Sequence, residues 1–373
     1  MGAPGARLDG AGRHEGVRVT TSSTTSSAVT GRARADGNGA GRPLQAPDVP
    51  VDLAELHQVT ASVARAVQSV IEGKPEAVRL ALTVLLAEGH LLIEDVPGVG
   101  KTMLAKALAR SIDGSVKRIQ FTPDLMPSDV TGVSVYNRAA GEFEFKPGGI
   151  FANIVLGDEI NRASPKTQAA MLEAMEERQV TVDGVTWGLA APFVVIATQN
   201  PIEMEGTYPL PEAQRDRFMA RVSMGYPSAE AEIEMLDTHG GASPLDDLRP
   251  VTDAAAIVRL IETVRRVHVS AGVKRYAVAI ADATRRSREL RLGASPRATL
   301  HLVRAARAMA ALEDREYVLP DDLQALAGPV LAHRLLPTAE AQIGRRGAEA
   351  IVADVLAGTP VPEPVRTGRA GRA

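Results

Sequence analysis

Between Val51 and about Tyr226 the apolar positions fall in short β-branched or leucine-rich runs, separated by stretches with a helical period. That alternation predicts a sheet wound with helices on both faces. The predicted strands are Leu91 to Glu94, Val116 to Phe121, Ile154 to Gly157, Phe193 to Thr198 and Ala220 to Met224. Each is short and mostly apolar, as strands buried on both faces are. Leu53 to Ile71 and Glu76 to Ala87 precede them as predicted helices. Two segments lie outside the alternation and read as β-hairpins: Val133 to Phe145, turning near Ala140 and Gly141, and Val180 to Trp187, turning at Asp183 and Gly184. A Pro/Asp-rich connector from Gly240 to Pro250 then ends the strand pattern. Five helices are predicted beyond it: Ala254 to Val269, Val273 to Arg291, Pro296 to Leu312, Pro320 to Leu331 and Ala339 to Leu356. Ser295 and Pro296 supply a cap and first turn for the third.

The expectation is therefore an α/β chain: an αβα core with a parallel sheet over 49–227, a linker over 228–250 and an all-α region over 251–357. Residues 1–48, rich in Gly, Ala, Ser, Thr and Arg, are expected to be disordered, and 358–373 to be a flexible tail.

Composition narrows the function classes. A chain of 373 residues, 45% hydrophobic, has enough material for a sizeable core and for two or three domains. The formal net charge of -3 gives no global cationic field to draw the protein onto phosphate backbones. With no cysteine, disulfides, thiolate zinc sites and a cysteine nucleophile are excluded. The seven histidines are scattered, without a His-x-x-x-His pair to suggest a metal. The opening residues carry no apolar stretch of signal-peptide length, and no later segment offers the roughly 18 uninterrupted apolar residues of a spanning helix. The cytoplasm is the expected location.

The strongest chemical signal is the strand from His90 running into Val96-Pro97-Gly98-Val99-Gly100-Lys101-Thr102-Met103 and then a helix over Met103 to Arg110. A glycine-rich loop between strand and helix lets backbone N–H groups curl round phosphate oxygens, and the helix start adds its orphan donors. Lys101 is then placed to reach the β- and γ-phosphates of ATP, and the Thr102 hydroxyl to hold Mg²⁺. The strict pattern has glycine where this chain has Asp95; that position touches phosphate less closely than Gly98 and Gly100, so the aspartate is expected to tolerate the turn, with its charge weakening nucleotide affinity.

Ile154 to Glu159 is an apolar strand ending in two acids, at the carboxyl edge where ligands of such sheets sit. Asp158 is the candidate for the Mg²⁺ shell, and Glu159 for polarising a water toward the γ-phosphate. The next strand ends Ala197-Thr198-Gln199-Asn200-Pro201, making Asn200 a candidate γ-phosphate sensor, although Asn-Pro is also a common turn starter. Pro211 to Phe218 carries two arginines too far along the fold to serve their own nucleotide. Arg217 first, and Arg215 second, are candidates for a finger reaching a neighbour's ATP; the other reading is a solvated arginine pair. Arg297, in the first turn after Ser295-Pro296, stands against the helix-dipole preference. It is a candidate for leaning over the nucleotide, the alternative being a surface arginine. The run Arg285, Arg286, Arg288 and Arg291 reads as a solvated helix face rather than a nucleic-acid site, since no aromatics interleave it.

Taken in this order, the motifs resemble the AAA+ superfamily of P-loop ATPases. The wordings Val96 to Thr102, Gly157-Asp158-Glu159-Ile160-Asn161-Arg162-Ala163, Ala197 to Pro201, Phe121-Thr122-Pro123-Asp124, Glu144 to Phe151 and Gly293 to Arg297 are similar to MoxR proteins. The resemblance covers roughly Val51 to Leu356. It implies an αβα core with a helical lid and assembly as a homo-oligomeric ring, commonly a hexamer. ATP would lie between core, lid and the adjacent subunit, and the two hairpins would be insertions facing the pore or a partner. It further implies chaperone-like remodelling of client proteins, often ones with a von Willebrand factor A domain. Arg215 stands where related chains tend to have leucine.

Two other classes compete with an ATP-driven remodeller: a nucleotide-gated scaffold with slow hydrolysis, and a magnesium-chelatase-like or DNA-acting AAA+ motor. The latter sits poorly with 3% aromatic residues and a slightly acidic balance, because single-strand grooves need stacking platforms and positive charge. No Asn-Lys-x-Asp guanine-reading motif occurs.

Overall fold

A computed structural model describes residues 53–362, apart from 72, 97, 201–207, 227–228, 230–231 and 234–243. The predicted tail over 1–48, Pro97 and the first part of the Gly240 to Pro250 connector lie outside the described residues.

Helices α1 (Ala54–Gln68) and α2 (Pro75–Leu86) lead into β1 (Leu91–Glu94), α3 (Lys101–Ser111) and β2 (Val116–Gln120). A short α4 (Pro127–Thr131) introduces the first hairpin, β3 (Gly132–Asn137) and β4 (Glu142–Pro147). β5 (Ile154–Asp158) and α5 (Pro165–Glu177) return the chain to the core. The second hairpin, β6 (Gln179–Val182) and β7 (Val185–Gly188), precedes β8 (Val194–Gln199), the single-turn α6 (Glu212–Arg215) and β9 (Ala220–Val222). All five core strands pair in parallel, in the order β2-β5-β8-β1-β9. β1 lies between β8 and β9 while the chain leaving it crosses to β2 at the far edge, so the loop after β1 opens at a topological switch point.

The hairpins were predicted as such, and they join through a stack of Phe145 on Trp187, with ring centroids 4.4 Å apart and planes 14° from parallel. Phe143 at the first tip is 73% exposed, while Val180 of β6 is buried in the core, so the hairpins project aromatics from a base anchored in it.

The second region runs α7 (Pro244–Asp247), α8 (Ala254–Arg266), α9 (Ala271–Arg286), β10 (Leu290–Leu292), α10 (Pro296–Leu312), α11 (Pro320–Leu331), β11 (Leu336–Pro337), α12 (Ala339–Ile343) and α13 (Ala348–Gly358). Two predicted helices are corrected. The helix expected over Val273 to Arg291 stops at Arg286, because Leu290 and Leu292 turn into a short antiparallel ladder with Pro337 and Leu336. The helix expected over Ala339 to Leu356 is broken at Gly344 to Gly347, where Arg345 takes a φ of 56°. That left-handed residue, following Gly344, cannot continue a right-handed helix. The lid helices do not form a core of their own. α10 packs on α1 and α2, and Leu56, Leu80, Leu85, Leu302 and Leu326 belong to a single buried apolar cluster that runs from the sheet into the lid. Among the described residues no helix is long and apolar enough to cross a membrane.

Candidate functional site: a phosphate loop, an acid pair and a remote arginine basin

Leaving β1, the chain passes Asp95 and Val96 into Gly98 and Gly100, whose φ angles are +86° and +89°. Only glycine takes that left-handed conformation without strain, and a Cβ at Gly98 would meet nothing within 4 Å, so the loop forms an open cradle. Val99 packs against the core, and Gly100 is the N-cap of α3. The helix predicted from Met103 begins two residues earlier, with Lys101, Thr102 and Met103 as its first turn. Lys101 Nζ donates to the Asp95 carbonyl at 2.7 Å, which folds the lysine back over the loop.

Asp95 itself does not face the cradle. Its Oδ2 accepts the Gly225 N–H at 2.6 Å and the Ser223 hydroxyl at 3.1 Å, and its Oδ1 accepts the Val96 N–H at 2.9 Å. Burial pushes this carboxyl upward, but the donors from Gly225, Val96, Ser223 and Met224 outweigh it and hold the group below the usual aspartate value. The residue in the first-glycine position is thus a clip between the phosphate loop and the segment after β9.

The acids stand where the sequence puts them, at the carboxyl end of β5. The β5–β8 register, Ile154 with Val194 through Gly157 with Ala197, brings Thr198 level with Asp158. The Thr198 hydroxyl donates to Asp158 Oδ1 at 2.5 Å and accepts the Glu159 N–H at 2.9 Å. Asp158 Oδ2 takes Arg118 Nη2 at 2.6 Å and Nε at 3.1 Å. Glu159 adopts a φ of 57°, and its Oε2 accepts from Gln120 Nε2 at 2.9 Å and pairs with Arg162 Nε at 3.1 Å. Asn200 follows the last residue of β8 and is 7% exposed. Thr198 ties the strand tip to both acids.

These residues fit a magnesium nucleotide. The Thr102 hydroxyl and Asp158 carboxylate are hard oxygen donors, and among the described residues no group of three or more His, Cys, Asp or Glu forms a cage of its own. An ion here would complete its shell with water and phosphate oxygens, as Mg²⁺ does. Beside the loop lies a cavity of about 860 Å³ between the start of α2, β9 and the lid, lined by Gly73, Lys74, Ser223, Met224 and Gly328 among others. Met224 connects the two, its Cε 3.9 Å from where a Gly100 Cβ would stand. The volume is of the size that small-molecule and cofactor sites have.

The arginines lie elsewhere. Met219 N–H donates to the His90 carbonyl and Leu91 pairs with Ala220, which places the Arg217 loop at the amino edge of the sheet. The phosphate loop leaves the opposite edge, about 13 Å away at ~3.3 Å per residue along β1. Arg217 Nε sits 3.2 Å from Glu176 Oε2, near the end of α5, and Arg297 Nη2 pairs with the other oxygen of the same carboxylate. α10 starts at the same amino edge, so Arg297 stands on the side of the sheet away from the phosphate loop. Both arginines line a cavity of about 440 Å³ with Arg178, Arg265 and Arg304, five arginines against Glu88 and Glu176. His90 lines it too, and burial drops its imidazole to about 4, leaving it neutral. Arg215, the other finger candidate, is not among the lining residues, and its Nε is buried without a hydrogen bond.

Thr198, Arg118, Gln120 and Glu176 escaped the sequence reading as functional residues. For Thr198 the signal was present: aligned strand ends at Asp158 and Gln199 place a hydroxyl beside the acids. Nothing in the sequence links Glu176 to Arg217 and Arg297, 41 and 121 residues away (217 − 176 and 297 − 176).

Residues 90–220 match the ATPase family associated with various cellular activities (AAA), and residues 282–355 match the AAA lid domain. An uncharacterised Bacillus subtilis protein, YeaC, is 51% identical over 308 residues, covering 83% of this chain and 96% of that one. The chaperone MoxR1 of Mycobacterium tuberculosis is 40% identical, covering 83% of this chain and 84% of its own. The crystal structure of a candidate ATPase from Cytophaga hutchinsonii superimposes with a TM-score of 0.79 at 35% identity, covering 83% of this chain and 97% of that one. Its phosphate loop, acid pair and helical lid, together with these relatives, show that the chain belongs to the MoxR family of AAA+ ATPases and is an ATP hydrolase.

Proposed function

We propose that each copy binds MgATP at its own phosphate loop and acid pair, and that a second copy completes the site with Arg217 and Arg297. The observation that carries this is the shared carboxylate of Glu176. Two arginines from different elements are gathered at the sheet edge opposite the loop, within a cavity where arginines outnumber acids five to two. They are out of reach of their own nucleotide and presented to another molecule.

In this reading the N–H groups around Gly98 and Gly100 cradle the phosphates, Lys101 swings from the Asp95 carbonyl to the β- and γ-phosphates, and Thr102 and Asp158 hold Mg²⁺. An Mg²⁺ held by Thr102 and Asp158 would supply neutralisation of the phosphate charge. Glu159 takes the proton of the attacking water as its oxygen bonds to the γ-phosphorus, and the bond to the β-phosphate oxygen breaks to leave ADP. Asn200 senses the γ-phosphate, and the neighbour's Arg217, supported by Arg297, meets the developing charge.

Repeated around a closed ring, commonly of six, this head-to-tail interface makes a cytoplasmic remodelling ATPase. The client would be a protein, of the kind carrying a von Willebrand factor A domain. The name of the mycobacterial relative and the exposed aromatic projection support a chaperone-like role.

The test is complementation. Arg217→Ala and Glu159→Gln are each expected to lose turnover by orders of magnitude, since fingers are worth about 10³ to 10⁵ in dissected GTPases. Mixing the two inactive proteins should restore ATPase activity, because an intact Glu159 then meets an intact Arg217 across some interfaces. A mixture as inactive as its components would rule out a finger supplied in trans.

A further inference from the structure

Arg334 ends the short helical turn Ala332–Arg334 after α11, and its side chain is 2% exposed. From the lid it reaches the loop that carries Arg217. Its Nη2 donates to the carbonyls of Asp216, at 3.2 Å, and of Phe218, the residues on either side of Arg217. Its Nε lies 3.0 Å from Asp216 Oδ1, an ion pair off the line of a hydrogen bond. Nη1 donates to the Val330 carbonyl within the lid, and His301 Nδ1 lies 2.6 Å from Nη2.

The Asp216 carboxylate makes a second tie. Ser295 Oγ approaches Oδ1 at 2.8 Å and Oδ2 at 3.0 Å, and Ser295 caps α10, whose first turn holds Arg297. One guanidinium and one carboxylate thus fasten the loop bearing Arg217 to the helix start bearing Arg297. A buried charge pair is a poor source of stability compared with apolar packing, so stability alone gives little reason for a guanidinium at this depth.

We infer that Arg334 is a positioning residue for Arg217 and Arg297, holding finger loop and helix start as one piece so that both guanidiniums reach a neighbour's nucleotide together. The inference rests on the proposal that those two arginines act on a second copy's ATP. It requires the planar fork of arginine: lysine keeps the charge but is a point donor on a flexible stem, unable to span two carbonyls and a carboxylate in fixed geometry.

The full-length Arg334→Lys variant should assemble and bind a fluorescent ATP analogue as the parent does, while kcat falls on the order of 100-fold, the usual effect of misplacing a catalytic group by ~1 Å. Mixed with Glu159→Gln it should regain turnover well above either variant alone, whereas mixed with Arg217→Ala it should not, both lesions lying on the same side of the interface. A merely structural defect would not choose between those partners. Parental turnover in Arg334→Lys overturns the inference. So does failure of Glu159→Gln to rescue it when the Arg217→Ala and Glu159→Gln mixture is active. If that last mixture is itself inactive, the trans reading fails, and the role of Arg334 with it. Should Arg334→Lys not fold, Asp216→Asn, which keeps the shape and removes the charge, carries the same expectations.

Discussion

Thr198→Val separates the acid pair from the strand that holds it. Valine has nearly the shape of threonine, and the site is 1% exposed, so the change acts through the hydroxyl alone. Two contacts go: the 2.5 Å donation to Asp158 and the 2.9 Å acceptance from the Glu159 N–H. A hydrogen bond to a charged group is worth about 1.5–3 kcal/mol, and an orphaned buried N–H costs about 1–3 kcal/mol. Since the losses overlap, ~3 kcal/mol is a fair sum, a drop in melting temperature of about 5 °C for a chain of this size. The kinetic effect should be larger. Glu159 holds a φ of 57° with its N–H anchored on Thr198, and release lets the carboxylate drift from the line of attack. A displacement of ~1 Å costs about 100-fold in rate. ADP release in a coupled assay should therefore fall steeply, while titration with a fluorescent ATP analogue shows unchanged affinity, the loop contacts being separate. Thr198→Ser keeps the hydroxyl and should stay near the parent. Parental turnover in Thr198→Val, or a Ser variant as impaired as the Val variant, would refute the assignment.

Two further outcomes follow from the geometry. Asp95→Gly restores the strict phosphate-loop pattern but removes the acceptor of the Gly225 and Val96 N–H groups; thermal melts should show a loss of about 1–3 kcal/mol without tighter nucleotide binding, and a tighter-binding, equally stable variant would contradict this. Stability should also fall on mild acidification. Burial lowers His90 from 6.5 to about 4 and holds His333 well below the same value, so below pH 6.5 the unfolded chain binds more protons than the folded one. Each pH unit lost in that window removes about 1.4 kcal/mol per histidine, with the full contribution present above it. Urea midpoints that do not shift between about pH 7 and about pH 5.5 would reject the assignment.

Local chemistry was legible in the sequence wherever neighbouring residues act together. The strand Leu91 to Glu94 and the helices Pro296 to Leu312 and Pro320 to Leu331 lie within the predicted bounds. Apolar period, cap and proline position settle such elements without tertiary help. Gly98, Gly100 and Lys101 cluster because one turn of backbone carries them. What the sequence hid depends on distant pairing. The ladder of Leu290 and Leu292 needs Leu336 and Pro337, so periodicity alone extended the helix past its end. Asp95 looked like a liability because its partners, Ser223 and Gly225, arrive 128 and 130 residues later. The side of the sheet on which Arg297 stands was hidden for the same reason: which edge a helix starts from is a property of lid packing, invisible in a five-residue motif.

The single apolar cluster shared by sheet, α1, α2 and lid has a mechanical meaning. Swinging the lid away from its own core would bring side chains such as Leu302 and Leu326, each 1% exposed, into water at about 1.5–3 kcal/mol apiece. A hinge so welded does not flex at low energy. Any movement prompted at the phosphate loop would then have to carry core and lid together, as a rigid gear tooth turns instead of bending.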